Sequence, residues 1–253
     1  MEKWEIALKK FLKNWESKKE VVGAIVCGSF VTGNPSDHSD IDLHLILNKK
    51  TKWRERGNVI IDGILIEYFA NPARRHYEYS KEDYQSRRKI NAHMFSTGRV
   101  LFDKTGELKQ LVNEAKKDMI RKYPKVDKTA IELSKYAIWD MRDNLEEIYD
   151  AKGDEFEFVY HVQLNGLFDK YSKFVRFDSI PANKLKRFLA NEKDQKKYHI
   201  AKFPDQEFVK LFVEAITLRD YSQMIKKYEQ LTNHILKKMG GFNIDGWKIR
   251  TPS

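Results

Sequence analysis

Several marks of common protein classes are missing from this chain. Its 253 residues include a single cysteine, Cys27, which excludes an intramolecular disulfide and fits a reducing, cytoplasmic setting. Cys27 closes an apolar stretch and reads as packing, not chemistry. No run of about 18 apolar residues occurs, so no transmembrane helix is expected and no membrane partner is predicted. The opening Met-Glu-Lys-Trp-Glu lacks the basic-then-apolar pattern of a signal peptide. Seven histidines are scattered along the chain, and no Cys/His group has zinc-site spacing. Internal repeats and low-complexity tracts are absent.

What is present is core-forming material. Hydrophobic residues make up 41% and aromatics 13%, enough to exclude wholesale disorder. The length suits one large domain or two ordinary ones. A formal charge of +10 has two readings: phosphate contacts with nucleic acid, or a Lys-rich solvated surface. The charge is uneven, which counts against a uniformly nucleic-acid-binding chain. Between Asp140 and Glu157 eight acidic residues face only Arg142 and Lys152.

Residues 2–18 have helical spacing, with Trp4, Ala7, Leu8, Phe11, Leu12 and Trp15 on one stripe. Val21–Cys27 reads as an apolar strand that breaks at Gly28-Ser29. A polar turn over 32–39 leads to a second strand, Asp40 to Leu47. Asn58–Ile61 and Ile64–Phe69 flank Asp62-Gly63, the strongest short hairpin signal, because a type I′ turn needs positive φ. Pro72 opens a helical stretch to about Phe95, with a break near Ser80. Val100–Phe102 predicts a short strand, and Leu108 to Met119 another helix.

Beyond Pro124 strand signals nearly vanish. Amphipathic stripes run from Ile131 to Ile148, Phe156 to Phe174, Leu185 to Leu189, Phe208 to Ala215 and Tyr221 to Ile235. Asp205 suits an N-cap, and Gly240-Gly241 a helix stop. The expected organisation is α+β: a mixed N-terminal domain, 1–123, then an all-helical domain, 124–253.

The chemistry concentrates between Gly28 and Asp42. Strand alternation puts Asp40, Asp42, His44 and Ile46 on one face and Ile41, Leu43, Leu45 and Leu47 on the other. The two carboxylates therefore project side by side, roughly 7 Å apart at their Cα atoms, and can converge on metal ions held ~4 Å apart. Mg²⁺ is the natural choice, since it takes a few carboxylates and leaves positions for water and phosphate. Glycine at a strand end lets the backbone approach a ligand, and the N–H groups of the following turn suit phosphate oxygens. Glu67 is the candidate third acid, since a strand carboxylate between Ile66 and Tyr68 is costly to bury without a purpose.

Gly28-Ser29, Ser39-Asp40-Ile41-Asp42-Leu43 and the later Glu67 together resemble the polymerase-β-like nucleotidyltransferase superfamily. Within it, a transferase domain followed by a helical bundle resembles the aminoglycoside and lincosamide nucleotidyltransferases. The motif covers about the first seventy residues; the helical half is similar only in general build. The resemblance implies a small mixed β-sheet flanked by helices, then a helical bundle that binds the acceptor. It implies transfer of a nucleoside monophosphate, AMP, from ATP or another triphosphate with two Mg²⁺ ions and release of pyrophosphate. By position, Gly28, Ser29 and Ser39 would bind nucleotide, Asp40 and Asp42 the metal, and Glu67 would serve as ligand, base or both.

The acceptor is less legible. One reading is a small hydroxylated molecule, an aminoglycoside-like antibiotic, bound between the domains. Asp140, Asp143 and Glu147 recur at helix spacing and would assist a cationic acceptor; the bland reading is a solvated face. A second reading keeps the chemistry with RNA or protein as acceptor, as in nucleotidyltransferase antitoxins, and a third retains only nucleotide binding. His44 lies on the carboxylate face but reads as a hydrogen-bonded structural histidine. Arg74, Arg75, Arg87, Arg88 and Arg99 are candidates for a triphosphate contact against a default of charged helix surface. Arg88 and His93 resemble the Arg-x4-His pattern of HEPN ribonucleases, but their place in the N-terminal half counts against that role.

Overall fold

A computed structural model describes residues 1–250. The chain divides into two compact units, Met1–Arg121 with Lys197–His199, and the remainder of the described chain from Lys122 onward. Among the described residues no helix is long and apolar enough to cross a membrane.

The first unit is built on an open five-stranded sheet. Helix α1 (Lys3–Glu16) leads into β1 (Val21–Cys27), and a one-turn helix α2 (Ser29–Thr32) precedes β2 (Ile41–Leu47). β3 (Glu55–Ile61) and β4 (Ile64–Pro72) form a hairpin, followed by α3 (Ala73–Gln85), α4 (Ile90–Thr97), β5 (Arg99–Asp103) and α5 (Glu107–Ile120). The strand order is β3-β4-β2-β1-β5. Only the β2–β4 pair is parallel; β1–β2, β1–β5 and β3–β4 are antiparallel. At the hairpin turn Asp62 and Gly63 both have positive φ, 52° and 78°, as a type I′ turn requires.

Strand alternation divides the core in two. Ile41, Leu43, Leu45 and Leu47 pack with Val21, Ala24 and Val26 against Trp4, Leu8, Phe11 and Trp15 of α1. On the other face Ile46, Val22, Ile25 and Cys27 meet Phe95, Leu108, Leu111 and Ala115 of α4 and α5. The strict period of two fails at Gly23, where the β1–β2 register shifts; a bulge there moves the following side chains to the opposite face. Cys27 is fully buried and its thiol donates to the Met94 carbonyl at 3.2 Å. Burial and then the nearby Asp42 charge push the thiol pKa up, so packing is its role.

Two sequence expectations are corrected here. The helix after Pro72 breaks at 86–89, not near Ser80. Ser80 lies within α3, and its hydroxyl accepts from the Asn91 amide at 2.9 Å. The corner is made instead by Arg87 at φ 53° and by Asp83, whose carboxylate accepts the Asn91 N–H at 2.7 Å. No glycine or proline marks this corner, so it is silent in the sequence. The other correction concerns His44, which is buried without a hydrogen bond at either ring nitrogen. It stacks on Phe69, with ring centroids 5.0 Å apart, and abuts His76 and Phe95. Burial first, then His76, lowers its pKa to about 3, so it is a neutral aromatic packing element.

The second unit is helical: α6 (Lys128–Asp150), α7 (Phe156–Phe174), a 3₁₀ turn at Ala182–Lys184, α8 (Leu185–Ala190), α9 (Glu192–Lys197), α10 (Gln206–Thr217) and α11 (Tyr221–Lys238). Its core is aromatic, with Phe156, Tyr160, Phe168, Tyr171, Phe203, Phe208, Phe212 and Tyr228 among the buried residues. Asp205 caps α10 by accepting the Phe208 N–H at 3.0 Å. Its other oxygen accepts from the Tyr171 hydroxyl at 2.6 Å and lies 2.8 Å from His234 Nε2. The sequence pattern passes over α9, whose Glu-Lys-Asp-Gln-Lys-Lys carries no apolar stripe.

Candidate functional site

The ladder register assembles the site from three adjacent strands. Asp42 pairs with Cys27 across the antiparallel β1–β2 ladder and with Glu67 across the parallel β2–β4 ladder. Directly opposed residues project to the same face, so the parallel pairing carries Glu67 to Asp42. Asp40 lies one residue before β2. One carboxylate oxygen from each of Asp40, Asp42 and Glu67 lies within 4.8 Å of the others. All three acids are half-buried, which leaves the cluster partly open to a ligand.

Gly28 is held against this cluster by its backbone. It has φ 80° and ψ −164°, a conformation essentially reserved for glycine. A Cβ built on it would lie 2.3 Å from Asp42 Oδ2. Gly28 is thus needed twice, for its torsion and for the closeness of the acid. It caps α2, whose first-turn N–H groups at Ser29 and Phe30 have no partner further back in the helix. The Ser29 hydroxyl makes no hydrogen bond among the described residues. Ser39 is committed to the turn before Asp40, where its hydroxyl accepts the Ser36 N–H at 2.8 Å.

Glu67 has a partner that the sequence reading missed. Arg56 on β3 donates to Glu67 Oε1 from Nη2 at 2.5 Å and from Nε at 3.1 Å. Its guanidinium also lies over the Phe69 ring, 4.8 Å from the centroid. The signal was hidden because β3 starts three residues earlier than its apolar pattern, in the charged segment Glu55-Arg56-Gly57. Nearby, the Tyr68 hydroxyl donates to Glu55 at 2.6 Å. That bond, then burial, raises the phenol to about 12.

The other arginine candidates have partners of their own. Arg74 donates to the carbonyls of Lys49 and Thr51, Arg75 pairs with Glu78 and Glu82, and Arg99 with Glu5. Arg87 and Arg88 also interact with neighbours. Asp140, Asp143 and Glu147 lie on α6 of the second unit, Asp143 and Glu147 exposed and Asp140 half-buried. Asp140 accepts from the Asn144 amide at 3.3 Å.

An all-oxygen donor set suits a hard divalent cation such as Mg²⁺, not zinc or copper. The three carboxylates fit that group because a divalent cation would offset the repulsion of like charges this close. A carboxylate cluster beside a glycine-serine turn, on an open mixed sheet, has the chemistry that phosphoryl transfer uses. Residues 8–107 match the family model described as polymerase beta, nucleotidyltransferase. This match supports a polymerase-β-like nucleotidyltransferase domain over that part of the chain. A nucleotidyltransferase-like protein from Exiguobacterium sibiricum 255-15, solved at 1.90 Å, aligns over 93% of this chain and 75% of its own. Its TM-score is 0.47 and its identity 12%. No curated protein matches the chain.

Proposed function

We propose that the protein is a Mg²⁺-dependent nucleotidyltransferase that moves AMP from ATP to a hydroxyl of a small acceptor and releases pyrophosphate. The observation that carries this reading is the convergence of Asp40, Asp42 and Glu67 within 4.8 Å, inside the domain that matches the family model. Asp40 and Asp42 hold the metal. Gly28, Ser29 and Ser39 hold the triphosphate, with the Gly28 backbone setting how closely it approaches Asp42. Glu67 serves as a further ligand or takes the proton of the acceptor hydroxyl. The oxygen of that hydroxyl forms a bond to the α-phosphorus as the bond to pyrophosphate breaks. Bound Mg²⁺ supplies charge neutralisation for the triphosphate and activation of the attacking oxygen.

The helical unit is assigned to the acceptor, with Asp140, Asp143 and Glu147 favouring a cationic, aminoglycoside-like molecule. The protein is placed in the cytoplasm, where ATP and Mg²⁺ are supplied. Calorimetric titration with ATP and Mg²⁺ tests the donor half: Asp40→Ala with Asp42→Ala abolishes binding, and unchanged binding would sink the metal assignment. Pyrophosphate release across aminoglycosides, lincosamides, RNAs and proteins tests the acceptor half. Release with RNA or protein alone transfers the activity to a macromolecule. Silence across the panel with intact nucleotide binding leaves a binding module.

A further inference from the structure

Arg56 is the unexpected member of the site. The β3–β4 ladder places Asn58 opposite Glu67 and Arg56 opposite Phe69. Arg56 is therefore the diagonal neighbour of Glu67 on the same face, within reach of a long side chain. Both of its hydrogen bonds fall on a single oxygen, Oε1. The Glu67 side chain is 18% exposed and that of Arg56 is 70% exposed. The carboxylate is thus held by the site, while its partner extends from a sheet-edge strand into solvent and can leave without unfolding anything.

A guanidinium and a divalent cation place the same demand on a carboxylate, namely its lone pairs and its charge. Three acids lie within 4.8 Å, and their mutual repulsion favours any positive group that reaches them. We infer that Arg56 is an exchangeable internal counter-ion: it holds Glu67 while the site lacks metal, and a divalent cation must displace it to use Glu67 fully. Cation binding is then an exchange of an intramolecular ion pair for an ion–carboxylate contact. Arg56 weakens the metal affinity and holds the Glu67 carboxylate while no ion is bound. This deepens the proposed function and rests on its metal assignment.

The exchange has a small, measurable cost, because an exposed ion pair contributes little. Removing Arg56 should tighten cation binding by about two- to fivefold, the range that such pairs span. The probe is Mn²⁺ without nucleotide, followed by calorimetry and by the loss of the free-ion electron paramagnetic resonance signal. Four proteins are compared: the unaltered chain, Arg56→Gln, Arg54→Gln and Asp42→Asn. Arg54 is an exposed arginine just before β3, so its removal reports the effect of net charge alone. Circular dichroism confirms folding in each case.

Tighter Mn²⁺ binding in Arg56→Gln than in Arg54→Gln is the expected result. Equal affinities in the two, or weaker binding in Arg56→Gln, overturn the exchange and leave Arg56 as a positioning residue or a simple surface charge. Absence of Mn²⁺ binding in the unaltered chain overturns the metal assignment itself, and this inference falls with it. Binding that survives Asp42→Asn unchanged has the same consequence, since the ion then lies elsewhere.

Discussion

Gly28→Ala is the substitution that tests the site most directly. The new methyl would start 2.3 Å from Asp42 Oδ2, whereas ordinary contacts of a Cβ begin near 3.4 Å. Either Asp42 retreats by about 1 Å or β1 and β2 separate by that amount, and a misplacement of this size costs on the order of 10²-fold in rate. The backbone adds its own cost. A side chain at φ 80° and ψ −164° stores roughly 1–3 kcal/mol of strain. The variant should therefore lose about 1–3 kcal/mol of first-unit stability together with most of its Mn²⁺ affinity and of the nucleotidyl transfer proposed for it.

Gly33→Ala is the matched control. Gly33 also has positive φ, 76°, but a Cβ there would meet nothing within 4 Å. It should lose about 1 kcal/mol and keep its affinity for the ion. Urea unfolding followed by tryptophan fluorescence, with Mn²⁺ titration alongside, separates the two. If Gly28→Ala binds Mn²⁺ like the parent, or Gly33→Ala is equally impaired, the close approach to Asp42 is not what Gly28 provides.

Other expectations follow from the same geometry. Replacing His44 by Leu removes two buried, unpartnered ring nitrogens and should stabilise the first unit by about 1 kcal/mol; a clear loss in urea unfolding would show an unseen partner. Asp205 has its pKa lowered to about 2: burial alone would raise it, but hydrogen bonds from Tyr171, the Phe208 N–H and His234 outweigh that. A depressed carboxylate contributes its stability above its unfolded pKa and loses it as protons bind. The helical unit should thus lose on the order of 2 kcal/mol between about pH 4 and pH 2. Asp205→Asn should remove that acid-sensitive portion in a pH series of thermal melts. Phe208→Ala, at a fully buried ring among Tyr171, Phe203 and Phe212, should cost about 3–5 kcal/mol, read by chemical unfolding.

Much of this architecture is legible from local pattern. The alternation of Ile41 to Leu47 separates the core face from the acid face, and the Asp62-Gly63 hairpin has the turn residues its torsions require. The α10 cap at Asp205 is equally local. What escapes is whatever lacks an apolar period or depends on distant pairing. Helix α9 and the start of β3 are nearly all polar, so no stripe announces them. The α3–α4 corner rests on a left-handed arginine and an Asp83–Asn91 contact, not on glycine or proline. The parallel register of Asp42 with Glu67 joins residues 25 apart, so no local pattern contains it, although the cost of burying a strand acid and the motif resemblance both singled out Glu67. At His44 the alternation and the structural role are both legible, and only the expected hydrogen bond fails: the ring packs against Phe69, His76 and Phe95 with neither nitrogen bonded.

The β3–β4 hairpin sits at the sheet margin and is hydrogen-bonded into it only along β2. An edge pair of this kind is suited to open as one cooperative unit below the global unfolding threshold. Opening would carry away Glu67 and Arg56 together and leave Asp40 and Asp42 behind on β2. An ion that grips acids on both β2 and β4 would act as a clasp across that seam. At a hundred times its dissociation constant it would add at most about 2.7 kcal/mol to the closed form, less whatever affinity Asp40 and Asp42 alone retain. Amide hydrogens of β3 and β4 would then exchange more slowly with the cation present, by up to about a hundredfold, while those of β1 and β5 would change least, making the hairpin's exchange rate a direct gauge of site occupancy.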